Sequence, residues 1–115
     1  MKNFLFLCSE NKFRSPTAEH IFRQFEGISA RSAGLNNDAE YPLQNGDIDW
    51  ADYIFCMDQS HKDKLMSKFG SLLRPDQKVV VLGISDKYQF MDPKLIQEIQ
   101  EKMKPWMALQ SPAFQ

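Results

Sequence analysis

Four short apolar runs alternate with segments of helical periodicity along this chain, and that alternation restricts its fold more than any other feature. KNFLFL (residues 2–7), the run from Ile28 to Ala33, YIFCM (residues 53–57) and KVVVL (residues 78–82) have the length and continuity of strands covered on both faces. KVVVL is the most β-prone of them and reads as a buried strand. Between the runs lie three helix patterns. Ser15-Pro16-Thr17 opens one whose Ala18, Ile21, Phe22 and Phe25 share a face, and Gly27 closes it. Asp58 or Ser60 caps a second that runs through Lys68, with Gly70 beyond its end. Asp92-Pro93 opens a third with Leu95, Ile96, Ile99 and Met103 on one face, ending before Pro105, after which the tail from Pro105 to Gln115 packs down. NNDAEYPLQNGD (residues 36–47) has the composition of a loop.

Strands alternating with helices imply a parallel sheet with right-handed crossovers and helices on both faces. In such folds sites open beyond the carboxyl ends of the strands. Cys8, Asp58 and Asp86 follow the first, third and fourth runs and so are expected on one edge. The 115 residues, 43% of them apolar, are enough for one core, so residues 1–115 are read as a single domain. Fourteen basic against fifteen acidic residues leave no basic stripe, and nucleic acid is not an expected partner. The opening MKNFLFLCSE carries too short an apolar run for a signal peptide or a membrane span, so a cytoplasmic protein without a membrane partner is expected. Cys8 and Cys56 are then thiols, and without a His or Cys cluster at ligand spacing neither a metal nor another cofactor is expected.

The segment CSENKFRS (residues 8–15) joins the first strand to the first helix. A loop in that position can turn its backbone N–H groups inward and add the unpaired N–H groups and dipole of the helix start, which together attract phosphate. The ring would consist of Ser9, Glu10, Asn11, Lys12, Phe13, Arg14 and Ser15, with the Arg14 fork able to bind two phosphate oxygens at once. Cys8 lies at the floor of this ring. The donors that hold a phosphate also hold a thiolate, and Ser15 can donate to the sulfur, so Cys8 is read as a pre-ionised nucleophile. A cysteine ending a strand is more commonly a small buried hydrophobe, and Cys56 is read that way. For Cys8, average residue usage yields the Arg and Ser at these spacings by chance in roughly one such chain in a hundred.

These residues resemble the low-molecular-weight protein tyrosine phosphatase family, whose loop has the form Cys, five residues, Arg, Ser. Asn11, the helix start SPTAEHIF, Ser32-Ala33-Gly34, the stretch YIFCMD and Ile84-Ser85-Asp86-Lys87-Tyr88 extend the likeness to most of the chain. The resemblance implies a three-layer α/β sandwich with a four-stranded parallel sheet in the order 2-1-3-4 and a phosphate-binding loop after strand 1. It also implies a metal-independent phosphomonoesterase working through a phosphocysteine, with a phosphorylated protein or small aryl phosphate as substrate. Departures from the family pattern are Phe13 in place of a loop cysteine, Glu10 in place of a loop glycine, and a shortened segment between Gly34 and Tyr53 that lacks a helix and an aromatic wall.

In-line displacement by sulfur needs a proton donor opposite the nucleophile. Asp86 and Asp92 are the candidates. Asp92 precedes a proline at a helix start and so has a capping role, whereas Asp86 sits mid-loop at the position the family likeness assigns to the general acid. Tyr88 either flanks the substrate or plugs the packing beneath the loop. His20 and His61 are read as surface residues, Trp50 as an anchor for the shortened segment, and Lys12 as solvated; Lys87 either steers an anion or is solvated. Rival functions for the same cradle are an arsenate reductase, which needs resolving cysteines, a phosphocarrier, whose loop lacks the arginine, and a phosphate-binding module without turnover.

Overall fold

The computed structural model describes residues 2–107. Strands β1 (Lys2–Cys8), β2 (Ile28–Gly34), β3 (Tyr53–Cys56) and β4 (Lys78–Val81) form one parallel sheet in the order β2-β1-β3-β4. The helices are α1 (Arg14–Phe22), α2 (Asn45–Trp50), α3 (Gln59–Phe69) and α4 (Pro93–Met107). This is the expected three-layer α/β sandwich. Alternation along the central strands divides the core in two. Phe4, Phe6 and Phe55 face α1 and α4, where they meet Ala18, Phe22, Leu95, Ile99 and Met103. Leu5, Leu7, Ile54 and Cys56 face the other way, against Ile48 of α2 and Leu65 of α3. Phe6 is stacked between Phe22 and Phe55 at centroid separations of 5.7 and 5.3 Å, and Phe4 meets Phe55 edge-on at 5.0 Å. Aromatic pairs of this kind add about 0.5–1.5 kcal/mol each beyond the area they bury. They hold β1, and hence Cys8 at its end, against the body of the protein.

Several boundaries differ from the sequence expectation. The loop-like stretch 36–47 runs into α2, because Asp47 turns back to accept from the Gln44 N–H at 3.0 Å while Ile48 is fully buried. A polar capping pair and one buried isoleucine outweigh a composition that reads as loop. Trp50 does anchor this segment: Arg31 lies 4.2 Å over its ring, and its carbonyl accepts from Asn3 Nδ2 at 2.9 Å. Helix α1 ends at Phe22, before Phe25, and the chain turns through Gly27 at φ 81° into β2. β4 is an edge strand, so its three valines are half-buried where the sequence predicts a fully buried strand. α4 continues past Pro105 to Met107. The proline forfeits one intrahelical bond, but Trp106 packs edge-on against Phe55 at 5.5 Å and holds the last turn down. Residues 108–115 of the predicted packed tail lie outside the described residues. Among the described residues no helix is long and apolar enough to cross a membrane.

Gly34 ends β2 where the following segment crosses under the loop after β1. A Cβ at this position would stand 2.4 Å from Ala39 Cβ and 2.8 Å from the Ser9 carbonyl oxygen. Neither neighbour can yield without moving backbone. Gly34→Ala should therefore lower the unfolding free energy by roughly 1–3 kcal/mol in urea titrations, and disturb the loop at Ser9 as it does so.

Candidate active site

The loop between β1 and α1 is suspended from the segment that follows β2. The carbonyl of Cys8 accepts from Leu35 N at 2.9 Å, that of Ser9 from Asn36 N at 2.9 Å, and that of Glu10 from Glu40 N at 3.0 Å. In a trans peptide the C=O of one residue points opposite to the N–H of the next. Three carbonyls bonded outward therefore turn the N–H groups of Ser9, Glu10 and Asn11 to the inside of the loop. Among the described residues nothing accepts from the N–H groups of residues 10–13. Asn11 takes the left-handed conformation, φ 57°, that closes the ring, a conformation asparagine tolerates better than most residues. The stretch 35–40, most of it within the loop-like segment 36–47, is thus the scaffold of the loop.

A cavity of about 250 Å³ opens inside the ring. Cys8, Ser9, Glu10, Lys12, Phe13 and Arg14 line it, and Asp86 completes the wall from the loop after β4. Asn11 and Ser15 lie beneath, both buried. Ser15 Oγ stands 2.9 Å from Cys8 Sγ and 2.8 Å from Asn11 Oδ1. Its single proton can serve one of these acceptors at a time, so an anionic sulfur would draw it away from the asparagine. Glu10 and Lys12 pair across the rim at 3.6 Å, which offsets the acidic charge at the mouth. Tyr88 is not part of this lining: its half-buried ring packs on the core, with Lys87 Nζ 5.5 Å from its centroid.

Arg14 is held along one edge only. Nη1 donates to Asp58 Oδ2 at 3.1 Å and to the Ile84 carbonyl at 3.0 Å. These two bonds use both Nη1 hydrogens, and the guanidinium keeps Nε–H and the Nη2 pair for a bidentate ligand. Asp58 does two jobs, because its Oδ1 also accepts from Ser60 N at 3.0 Å as the cap of α3. Burial opposes ionisation of Asp58, but hydrogen bonds from Ser60 and Arg14, with the neighbouring His61 and Arg14 charges, outweigh it and hold its carboxyl below the ordinary value of 3.8.

The loop bearing Asp86 is tied to the same frame. Ile84 N donates to the Met57 carbonyl at 2.7 Å, and at its far end Met91 N donates to Thr17 Oγ1 at 3.0 Å. Thr17 in turn donates to the Phe13 carbonyl at 2.6 Å, so one buried hydroxyl joins the two loops that wall the cavity. Met91 sits at φ 62°, the cost of bringing that loop back to α1. Asp92 is at the opposite end from Asp86, its Oδ1 accepting from Lys94 N at 2.9 Å as a helix cap.

His61 corrects a sequence expectation. It is not at the surface; only 1% of it is exposed. Nδ1 accepts from Asp58 N at 3.1 Å, and Nε2 lies 3.1 Å from Ser9 Oγ. The D-x-x-H spacing at the start of α3, a capping pair, was the signal available in the sequence. His20, by contrast, is exposed as expected.

No family model matches the chain, and no curated protein matches its sequence. Solved structures do match in fold. The low molecular weight protein tyrosine phosphatase SP-PTP from Streptococcus pyogenes superimposes with a TM-score of 0.76 at 19% identity, covering 99% of this chain and 97% of that one. The chain has the low-molecular-weight protein tyrosine phosphatase fold. The tyrosine phosphatase Wzb from Escherichia coli K30, solved in complex with phosphate, shares this phosphatase fold with a TM-score of 0.71, 18% identity and 93% and 96% coverage of the two chains. So does the arginine phosphatase YwlE from Geobacillus stearothermophilus, with a TM-score of 0.65, 22% identity and coverages of 94% and 96%.

Burial pushes the His61 imidazole below its ordinary value of 6.5, with Arg14 and Lys64 acting in the same direction and Asp58 opposing. The unfolded chain then binds a proton that the folded chain resists, so stability rises with pH across the window below 6.5 and is lost on acidification. Urea midpoints measured between pH 5 and 7.5 should climb with pH, and His61→Asn should flatten that slope.

Proposed function

We propose that the chain is a low-molecular-weight-type protein tyrosine phosphatase: a metal-independent phosphomonoesterase with Cys8 as nucleophile, Arg14 as phosphate clamp and Asp86 as general acid. The observation that carries this reading is the outward bonding of the Cys8, Ser9 and Glu10 carbonyls, which leaves a ring of inward N–H groups around a cysteine sulfur. Arg14 and Asp86 line the same cavity.

In the first step Cys8 Sγ, as thiolate, attacks phosphorus while the bond to the leaving oxygen breaks. Asp86, as the neutral acid, gives its proton to that oxygen. The three phosphoryl oxygens carry the charge of the transition state, and the loop N–H groups with Arg14 Nε and Nη2 bind them in this scheme. In the second step the Asp86 carboxylate takes a proton from water, the water oxygen bonds to phosphorus, and the P–S bond breaks to return the thiolate and release phosphate. Phe13, substantially exposed and part of the cavity lining, offers apolar surface on this loop and favours an aryl ester over a small polar one. A phosphorylated protein is the fitting substrate class, and a free thiol nucleophile suits the reducing cytoplasm.

The rival readings are less well supported. A reductase needs a second thiol within reach of Cys8. Cys56 faces the other side of the sheet, and burial pushes its thiol up to about 12. A carrier lacks use for a fork held ready beside the sulfur.

Steady turnover of p-nitrophenyl phosphate in the presence of a chelator, abolished by Cys8→Ser, is the expected result. One stoichiometric phosphorylation without turnover would mean a carrier, and silence a binding module. Asp86→Ala should lower kcat by roughly 10²–10⁴ with an unchanged urea midpoint. Asp92→Ala should instead cost about 1 kcal/mol of stability and leave kcat near its starting value.

A further inference from the structure

The buried His61 ring and the Ser9 hydroxyl form a pair that the proposed chemistry does not use. Backbone N–H groups only donate, so the bond from Asp58 N to Nδ1 at 3.1 Å requires Nδ1 to be the acceptor. The proton of the neutral imidazole is then on Nε2, which donates to Ser9 Oγ at 3.1 Å. A serine oxygen that accepts there still owns its own hydrogen. Among the described residues Ser9 Oγ has no second partner, and Ser9 lines the cavity beside Cys8 and Arg14.

We propose that His61 is a positioning residue that locks Ser9 as a hydrogen-bond donor to an oxygen of the bound phosphoryl group. The ring acts twice. It fixes where Oγ sits, and it occupies the lone pair with which the hydroxyl would otherwise accept, so the remaining hydrogen faces the cavity. The same ring caps α3 through Asp58, whose other oxygen holds Arg14. Ser9, His61, Asp58 and Arg14 are therefore linked in series, His61 bonding the Asp58 backbone and Arg14 the Asp58 carboxylate, and the two end members, Ser9 and Arg14, both line the cavity. A serine whose hydroxyl were merely solvated would need no buried, tautomer-fixed histidine behind it. This assignment rests on the phosphatase reading for the identity of the ligand, but its central quantity is affinity for phosphate.

The test compares Ser9→Ala, His61→Asn, His61→Gln and the double variant Ser9→Ala/His61→Asn with the unaltered protein. Asparagine keeps an oxygen near the place of Nδ1 for the Asp58 N–H but is too short to reach Ser9, whereas glutamine carries an amide nitrogen to the place of Nε2. The readouts are the dissociation constant of inorganic phosphate by calorimetry and kcat and KM for p-nitrophenyl phosphate. Ser9→Ala and His61→Asn are each expected to weaken phosphate binding and lower kcat/KM by about tenfold, a hydrogen bond to a charged oxygen. The double variant should be no worse than Ser9→Ala, and His61→Gln should recover most of the loss. Additive losses, or an unchanged phosphate dissociation constant in Ser9→Ala, would overturn the proposal. If the unaltered protein turns over no aryl phosphate, the proposed function fails, and the inference is still decided by calorimetry. A tenfold loss in both single variants upholds it, and no loss refutes it.

Discussion

The site depends on one constraint, the direction of three peptide groups. With the carbonyls of Cys8, Ser9 and Glu10 bonded to the N–H groups of Leu35, Asn36 and Glu40, the loop after β1 has no freedom to turn its amides outward. The positive ends of those peptide dipoles are concentrated around a sulfur at the end of a central, buried strand. An isolated loop of this sequence would direct the same amides to water. What fixes them is a neighbouring backbone close enough that Gly34 has no room for a side chain.

The arginine follows the same logic of division. One nitrogen of Arg14 is committed to Asp58 and to the Ile84 carbonyl of the Asp86 loop, so the guanidinium plane is set before any ligand arrives. Preorganisation of this kind lowers the reorganisation that binding an anion would otherwise require. It also links three strand ends, because β1, β3 and β4 each contribute a member: the loop of Arg14, the cap Asp58 and the carbonyl of Ile84. Thr17 repeats the device on the other side, joining Phe13 to Met91.

Much of this was legible in the chain. The four strands, the place of the cysteine at a strand end, the cap at Asp92 and the meeting of Cys8, Asp58 and Asp86 on one edge follow from apolar periodicity and from the rule that sites open beyond parallel strands. His61 and the stretch 35–40 were not. A histidine one turn into a polar helix start reads as solvated, and nothing local reveals that Ser9 will lie 3.1 Å away. The stretch 35–40 has no periodicity because its work is done by backbone N–H groups, which every residue except proline carries alike. Helix α4 runs past Pro105 because the compensation comes from Trp106 against Phe55, far away in the chain.

Local chemistry along the sequence determined the order of the four strands and of helices α1, α3 and α4, the strand-to-helix junction that holds CSENKFRS, and where a thiol, a guanidinium and a carboxylate are available near it. These are properties of residue type and spacing, and they are carried by neighbours in the chain. Tertiary structure alone decided which way the loop amides face, which edge of Arg14 is left free, and that a histidine is buried behind a serine of the cavity wall. Those outcomes are set by hydrogen bonds between segments far apart in the chain, and such partners have no signature until packing brings them within 3 Å or so.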